Sequence, residues 1–323
     1  MTLVIILGYL ALVLAIGFFS HHWLRATGED YFLATRSIGP FVLLMSLFGT
    51  HMTAFSLLGA SGEAYHHGIG VFALMASSSA LVVPLVFFAI GTRLWRIGKD
   101  HGLLTQVQYF RERYDSDGLG LVLFLVLIAL LVPYLLIGVM GGGIALSQIT
   151  EGAVPEWVGS LLICSVVVVY VTSGGLRGTA WANTFQTLVF MVLGAVTFFY
   201  IVHRLGGLQG ALARVGEVAP ELLVRGEAIP PAKMFSYMLI PLSVGMFPHI
   251  FMHWLTARRA GSFRLSLWMY PLCVAVVWLP SVLLGVIGRV EIPGLQGPAA
   301  NAILVRMIQL EAPEILALSL IHI

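Results

Sequence analysis

Polar side chains interrupt two apolar runs of this chain at mid-length. Across 47–56 it reads Leu-Phe-Gly-Thr-His-Met-Thr-Ala-Phe-Ser, so Gly49, Thr50, His51, Thr53 and Ser56 break the run 38–60. Across 243–249 it reads Ser-Val-Gly-Met-Phe-Pro-His, which sets Gly245, Pro248 and His249 inside the run 235–255. Glycine loosens a helix, and proline removes a donor and frees the carbonyl four residues back, here that of Val244. Freed carbonyls and hydroxyls are hard neutral oxygens, the donors that suit hard cations. Imidazoles and hydroxyls can hold a polar solute, and an imidazole titrating near neutral pH can also carry a proton. No Asp or Glu lies mid-run, the nearest being Glu63 at the end of the first. A cation site here must therefore use neutral oxygens.

Other groupings are weaker. His249 and His253 stand four apart on one helical face, a spacing that suits a metal, but no third ligand accompanies them and no transition-metal site is expected. His66 and His67 beside Glu63 read as a solvated cluster. Ser77, Ser78 and Ser79 either line a cavity or pack between helices, as small hydroxyl residues do in membranes. Gly141, Gly142 and Gly143 read as close packing, with Pro133 and Tyr134 marking a bend. Arg177 reads as an anchor for a loop. No Ser/His/Asp, paired-carboxylate or zinc constellation has usable spacing, so an enzyme is not expected.

The elements that hold these residues follow from composition. Of 323 residues, 59% are hydrophobic and 10% charged, against about 25% charged in a soluble domain; the mean hydropathy is +0.96. That excludes a soluble enzyme, a disordered tail and a nucleic-acid binder, and identifies a multi-pass membrane protein. Two cysteines, Cys164 and Cys273, both in apolar runs, exclude a disulfide framework. With roughly 20 apolar residues needed per span, the candidates are 3–24, 38–60, 71–94, 119–146, 158–171, 180–202, 235–255 and 265–287, and a further run begins at Ile315. The first run carries no cleavage site and reads as a retained helix. Of the 17 Lys and Arg residues, eleven fall in one alternating set of loops and six in the other. The richer set belongs to the cytoplasm, which predicts an N-terminus outside and a plasma (inner) membrane location. The stretch 106–114 interleaves aromatics with arginines, as a helix on the inner membrane surface would. The loop 205–231 is long enough for a surface helix of its own.

The two interrupted spans stand five spans apart. A five-helix unit repeated upside down places its two broken first helices at one depth, facing each other. Asp30-Tyr31-Phe32-Leu33, Arg36-Ser37-Ile38-Gly39-Pro40 and the broken helix that follows resemble the opening of the sodium:solute symporter family. Ser173-Gly174-Gly175-Leu176-Arg177-Gly178-Thr179-Ala180-Trp181, followed by Asn183 and Gln186, resembles that family's signature before its fifth core helix. Phe247-Pro248-His249 resembles its sixth-helix motif.

The resemblance implies an all-α, polytopic, leucine-transporter-type inverted-repeat core in one transmembrane domain, 1–323. It has an extra leading helix (1–24), a first five-helix repeat (38–202) and an incomplete second repeat (235–323) that stops within the eighth core helix. It implies sodium-driven uptake of a small organic solute by alternating access. The backbone carbonyls of Gly49 and Met52 are the sodium ligands on the broken first helix; the hydroxyls that complete the site belong to the eighth helix, past Ile323. Thr50, His51, Thr53, Ser56, Phe247, Pro248 and His249 are the solute-cavity candidates, and Asn183 lies on the ion path. Two positions depart from the family pattern: His51 replaces a polar or acidic residue, and Asn183 replaces an Asp. Two alternatives remain beside the sodium symporter. One is a symporter-like sensor domain of a signalling protein; the other is a proton-coupled transporter using His51. The expected partners are sodium, the solute and the lipid bilayer, with no nucleic acid and no obligate protein partner.

Overall fold

The computed structural model describes residues 2–21, 27–53, 55–313 and 316; apart from Leu316, the run beginning at Ile315 lies outside them. Helices dominate because a backbone in hydrocarbon must satisfy its own donors and acceptors. In chain order they are α1 (Thr2–His21), α2 (Gly28–Leu33), α3 (Pro40–His51), α4 (Ser56–His67), α5 (Phe72–Asp100), α6 (Gln106–Arg113) and α7 (Asp117–Ile149). There follow α8 (Glu156–Arg204), α9 (Gly207–Val218), α10 (Pro231–Met246), α11 (Pro248–Leu255), α12 (Phe263–Glu291) and α13 (Ile303–Glu311). Starts are fixed by side chains that satisfy orphan N–H groups. Thr105 accepts from the Gln108 N–H at 3.1 Å and Ser116 from the Leu119 N–H at 3.2 Å. Large apolar side chains such as Leu121, Phe124 and Leu125 point outward from α7, as a lipid-facing surface requires.

Helix α8 is 49 residues long, roughly 70 Å at 1.5 Å per residue and over twice the ~30 Å hydrocarbon core. It is two arms. Gly175 is non-helical at φ 54°, ψ −155°, a conformation open to glycine, and Val166 and Ala182 both pack in one cluster with Val13 of α1. In a straight helix those two residues would lie about 24 Å apart, so the chain turns back at Gly175 and the expected spans 158–171 and 180–202 are its arms. Small residues let α1 sit tightly on this turn, with Gly17 against Tyr170 and with Gly174 and Gly178 against Ser20.

Two pairs of half-helices are broken at mid-span. Helix α3 stops at His51, and α4 begins with a π turn at 55–59. The α10–α11 pair bends by 53°. The Val244 carbonyl, which Pro248 was expected to free, accepts from the Phe247 N–H at 3.4 Å because the chain tightens into one 3-10 turn over 244–246.

The loops gather at two ends. At one, Arg36 donates to the carbonyls of Gly98, Leu103 and Leu255, Arg177 pairs with the buried Asp30 at 2.6 Å, and Ile38 bridges Ala257. At the other, the Tyr65 hydroxyl donates to Ile292 O, Ile69 N–H to Leu222 O, and Arg214 pairs with Glu291. Arg204 pairs with Glu311, and Gln309 donates to the Gln148 carbonyl there as well. The two alternating loop sets thus occupy opposite ends.

Candidate functional site

The site is built around the last turn of α3. That helix runs from Pro40 at its first turn, where the missing N–H costs nothing, to His51, and Met52 is extended at φ −80°, ψ 118°. The Met52 N–H closes onto Phe48 O at 2.9 Å, while the Thr53 N–H turns to Ser56 Oγ at 3.4 Å. The Gly49 carbonyl sits at this termination, next to the extended Met52.

Successive residues on a helix point about 100° apart, so Gly49, Thr50 and His51 face three directions. Gly49 and Met52 border a cavity of about 210 Å³ shared with Thr53, Tyr9 of α1 and Asn183, Gln186 and Thr187 of α8. Its lining carries amide and hydroxyl oxygens and no carboxylate. Gly49 lies hard against Thr187 Oγ1, and Thr187 Oγ1 donates to Met45 O at 3.2 Å. This face of α3 is docked on α8.

His51 faces the other way, into a cavity of about 200 Å³ lined with Thr53, Ser56, Ser78, Ser79, Phe247 and His249, together with Met75, Tyr134 and Trp278. A cavity of about 150 Å³ holds benzene, so this one has room for a small solute. His51 Nδ1 meets the Tyr270 hydroxyl, His249 stacks on Tyr134 with centroids 5.2 Å apart, and Trp278 Nε1–H donates to Met52 Sδ at 3.2 Å. Ser281 donates to Leu57 O at 2.7 Å. Thr53 borders both cavities, which are therefore separated by little more than the broken helix.

The structure brings His51, Thr53, Ser56, Phe247 and His249 together on one cavity, and Gly49, Met52 and Asn183 on the other. Thr50 and Pro248 border neither. Thr50 Oγ1 accepts from Asn183 Nδ2 at 2.7 Å and meets His253 Nε2 at 3.2 Å. Pro248 occupies the first turn of α11. The His249 and His253 pair is split between two environments, and among the described residues no group of three or more His, Cys, Asp or Glu is placed to hold a metal ion. Sequence reasoning passed over Tyr270, Trp278 and Ser281. Their spacing of eight and three residues sets them on one stripe of α12, a pattern that acquires meaning once the break they face is known.

Paired broken helices, a hairpin of long arms and two cavities beside the first break are the features expected of a leucine-transporter-type helical core. The profile of the sodium:solute symporter family matches residues 31–319, and the chain belongs to that family, whose members are transporters rather than enzymes. It is 27% identical over 312 residues to an uncharacterized symporter of Bacillus subtilis, YhjB, covering 94% of this chain and 62% of that one. It is 28% identical over 301 residues to the sodium/pantothenate symporter of Escherichia coli, covering 90% and 61% respectively. A solved structure described as the substrate-bound outward-open state of a Na+-coupled sialic acid symporter superposes with a TM-score of 0.82 at 15% identity, over 99% of this chain and 68% of that one. The chain thus spans about three-fifths of the length of these two curated relatives.

Proposed function

We propose that the chain forms the cation- and solute-binding face of a secondary symporter that couples sodium entry to uptake of a small organic solute by alternating access. One observation carries this reading: two cavities, each apolar with a few hydroxyl, amide or imidazole groups in its wall, lie on opposite sides of a single broken helix and share Thr53. An ion on one side and a solute on the other would each fix the same helix end, which is what coupling requires. The Gly49 and Met52 carbonyls are the sodium ligands contributed by α3, and Asn183 lies on the ion's path. His51, Thr53, Ser56, Phe247 and His249 hold the solute, joined by Ser78, Ser79, Tyr134 and Trp278. Pro248 and Thr50 set the backbone around them. The sodium/pantothenate relative supports sodium coupling and a small metabolite as cargo. The end that carries Arg36, Arg177 and the 98–103 turn is the cytoplasmic face of a plasma membrane, with the N-terminus outside.

The test uses the protein expressed from its full gene and purified in detergent. A ligand present at 100 times its Kd stabilises the folded state by about 2.7 kcal/mol, so sodium should raise the melting temperature saturably over potassium or choline at equal ionic strength. In vesicles, an inward sodium gradient should drive uptake of at least one member of a panel of small carboxylates, amino acids and sugars. Identical melting in sodium and potassium overturns the reading.

A further inference from the structure

A buried polar chain joins three helices and touches neither a proposed sodium ligand atom nor the solute cavity, with only its Asn183 end on the cation cavity. His253, on α11, is 2% exposed. Its Nδ1 lies 3.1 Å from Ser46 Oγ and its Nε2 lies 3.2 Å from Thr50 Oγ1. Ser46 and Thr50 are one turn apart on α3, so the imidazole spans that turn like a staple. The same Thr50 oxygen accepts from Asn183 Nδ2, on α8, at 2.7 Å. The Asn183 amide donates to Thr50, which leaves the Thr50 hydroxyl to donate to Nε2, and the Ser46 oxygen, 3.1 Å from Nδ1 and 3.5 Å from Nε2, lies against the ring edge between them. Three elements, α11, α3 and α8, are joined through one hydroxyl.

We infer that His253 is a positioning residue for the cation site: with Ser46, Thr50 and Asn183 it forms a latch that fixes the last turn of α3 and so aims the Gly49 and Met52 carbonyls at the cation cavity. The argument is geometric. Gly49 precedes Thr50, and its α-carbon is already pressed on Thr187; a grip on Thr50 from the opposite side leaves that turn no freedom to roll. Buried polar groups joined in such a set rigidify their surroundings when every member is satisfied, and removal of one partner leaves the others short of a bond. The latch also explains the buried imidazole, which has no role in either cavity. Its reach to the cation rests on the reading of Gly49 and Met52 as sodium ligands; the three-way linkage stands without it.

The experiment separates the two. In vesicles containing the protein from its full gene, His253→Ala should raise the sodium concentration for half-maximal uptake about tenfold while the solute half-saturation at saturating sodium stays within twofold. His253→Gln, whose amide can reach both hydroxyls, should recover most of the loss. In a Thr50→Val background, His253→Ala should add less than a twofold shift, because the connection is already cut. Equal sodium half-saturation in the wild type and His253→Ala, or full independence of His253→Ala and Thr50→Val, overturns the proposal. Should the wild type show no sodium dependence, the symporter reading fails and melting temperatures decide the latch. His253→Ala and Asn183→Ala should be non-additive with Thr50 present and additive with Thr50→Val. Additivity in both backgrounds means that no latch exists.

Discussion

His51 is the residue at which two coupling chemistries part. It borders the proposed solute cavity, and its Nδ1 is engaged by the Tyr270 hydroxyl, which fixes the ring and leaves the other nitrogen as its remaining polar atom. If sodium is the coupling ion, His51→Asn should change the solute half-saturation by about tenfold, the worth of one hydrogen bond of ~1.4 kcal/mol, and leave the sodium dependence standing. Wild-type uptake should then vary little between pH 6 and 8. If His51 carried the coupling proton, an acid-outside gradient should drive uptake without sodium, and His51→Asn should abolish it, because an ordinary imidazole loads and unloads over that range. Initial rates with and without sodium at both pH values decide the matter. Gly49 supplies a second residue-scale test. A methyl there would run into Thr187 Oγ1 and sit 3.4 Å from the Asn183 carbonyl, and overpacking of this kind costs about 1–3 kcal/mol. Gly49→Ala should therefore lower the melting temperature and weaken sodium binding, whereas Gly8→Ala, with open space at its Cβ and no place on either cavity, should do neither.

Elements meet at the basic end through few but well-buried groups. Arg177, at the turn between the arms of α8, reaches the buried Asp30 at 2.6 Å, Ala34 O at 3.2 Å and Thr35 Oγ1 at 3.1 Å. It thereby holds a segment in which Ala34, Thr35 and Arg36 all have φ near +50°, a region costly for residues with a Cβ. Removing one partner of a buried ion pair costs about 3 kcal/mol or more. Arg177→Ala should lower the melting temperature strongly, and the pair Arg177→Gln with Asp30→Asn should lose less than Arg177→Ala alone, since no buried charge is left facing a neutral group. Thermal unfolding of the three variants in one detergent checks the order. How far these elements could be read from sequence depended on contrast. Glycine, proline and hydroxyls stand out inside an apolar run, so both breaks were visible at 47–56 and 243–249. Which face each residue presents was not, because Thr50 and His51 are neighbours in sequence and point into different surroundings. Tyr270, Trp278 and Ser281 gave little signal, since aromatics and a serine are ordinary in an apolar helix until the break opposite them is located. His253 was visible as half of an i, i+4 pair, but its partners Ser46 and Asn183 lie on two other helices.

At the scale of the whole molecule, the loops sort into two ends, and the sign of the sorting can be tested. Arg36 and Arg177 tie 29–37, 98–103, 177 and 255–258 into one end, and the remaining basic residues of that set, Arg93, Arg96, Arg258, Arg259 and Arg264 among them, flank it in sequence. The opposite end joins 65–69, 148, 204, 222, 291–292 and 309–311. Translocation disfavours Lys and Arg in short loops, so the first end should face the cytoplasm. Single cysteines replacing Arg96 or Arg259, in a background with Cys164 and Cys273 changed to serine, should then resist a membrane-impermeant thiol reagent added to whole cells and react after permeabilisation. A cysteine replacing Gly152, in the turn that follows α7 beside the second end, should react from outside at once. Labelling of the Arg96 and Gly152 positions from the same side would break the span count itself, because α7 alone separates them after the short helix α6. Labelling of all three with the sides exchanged would keep the fold and invert the membrane.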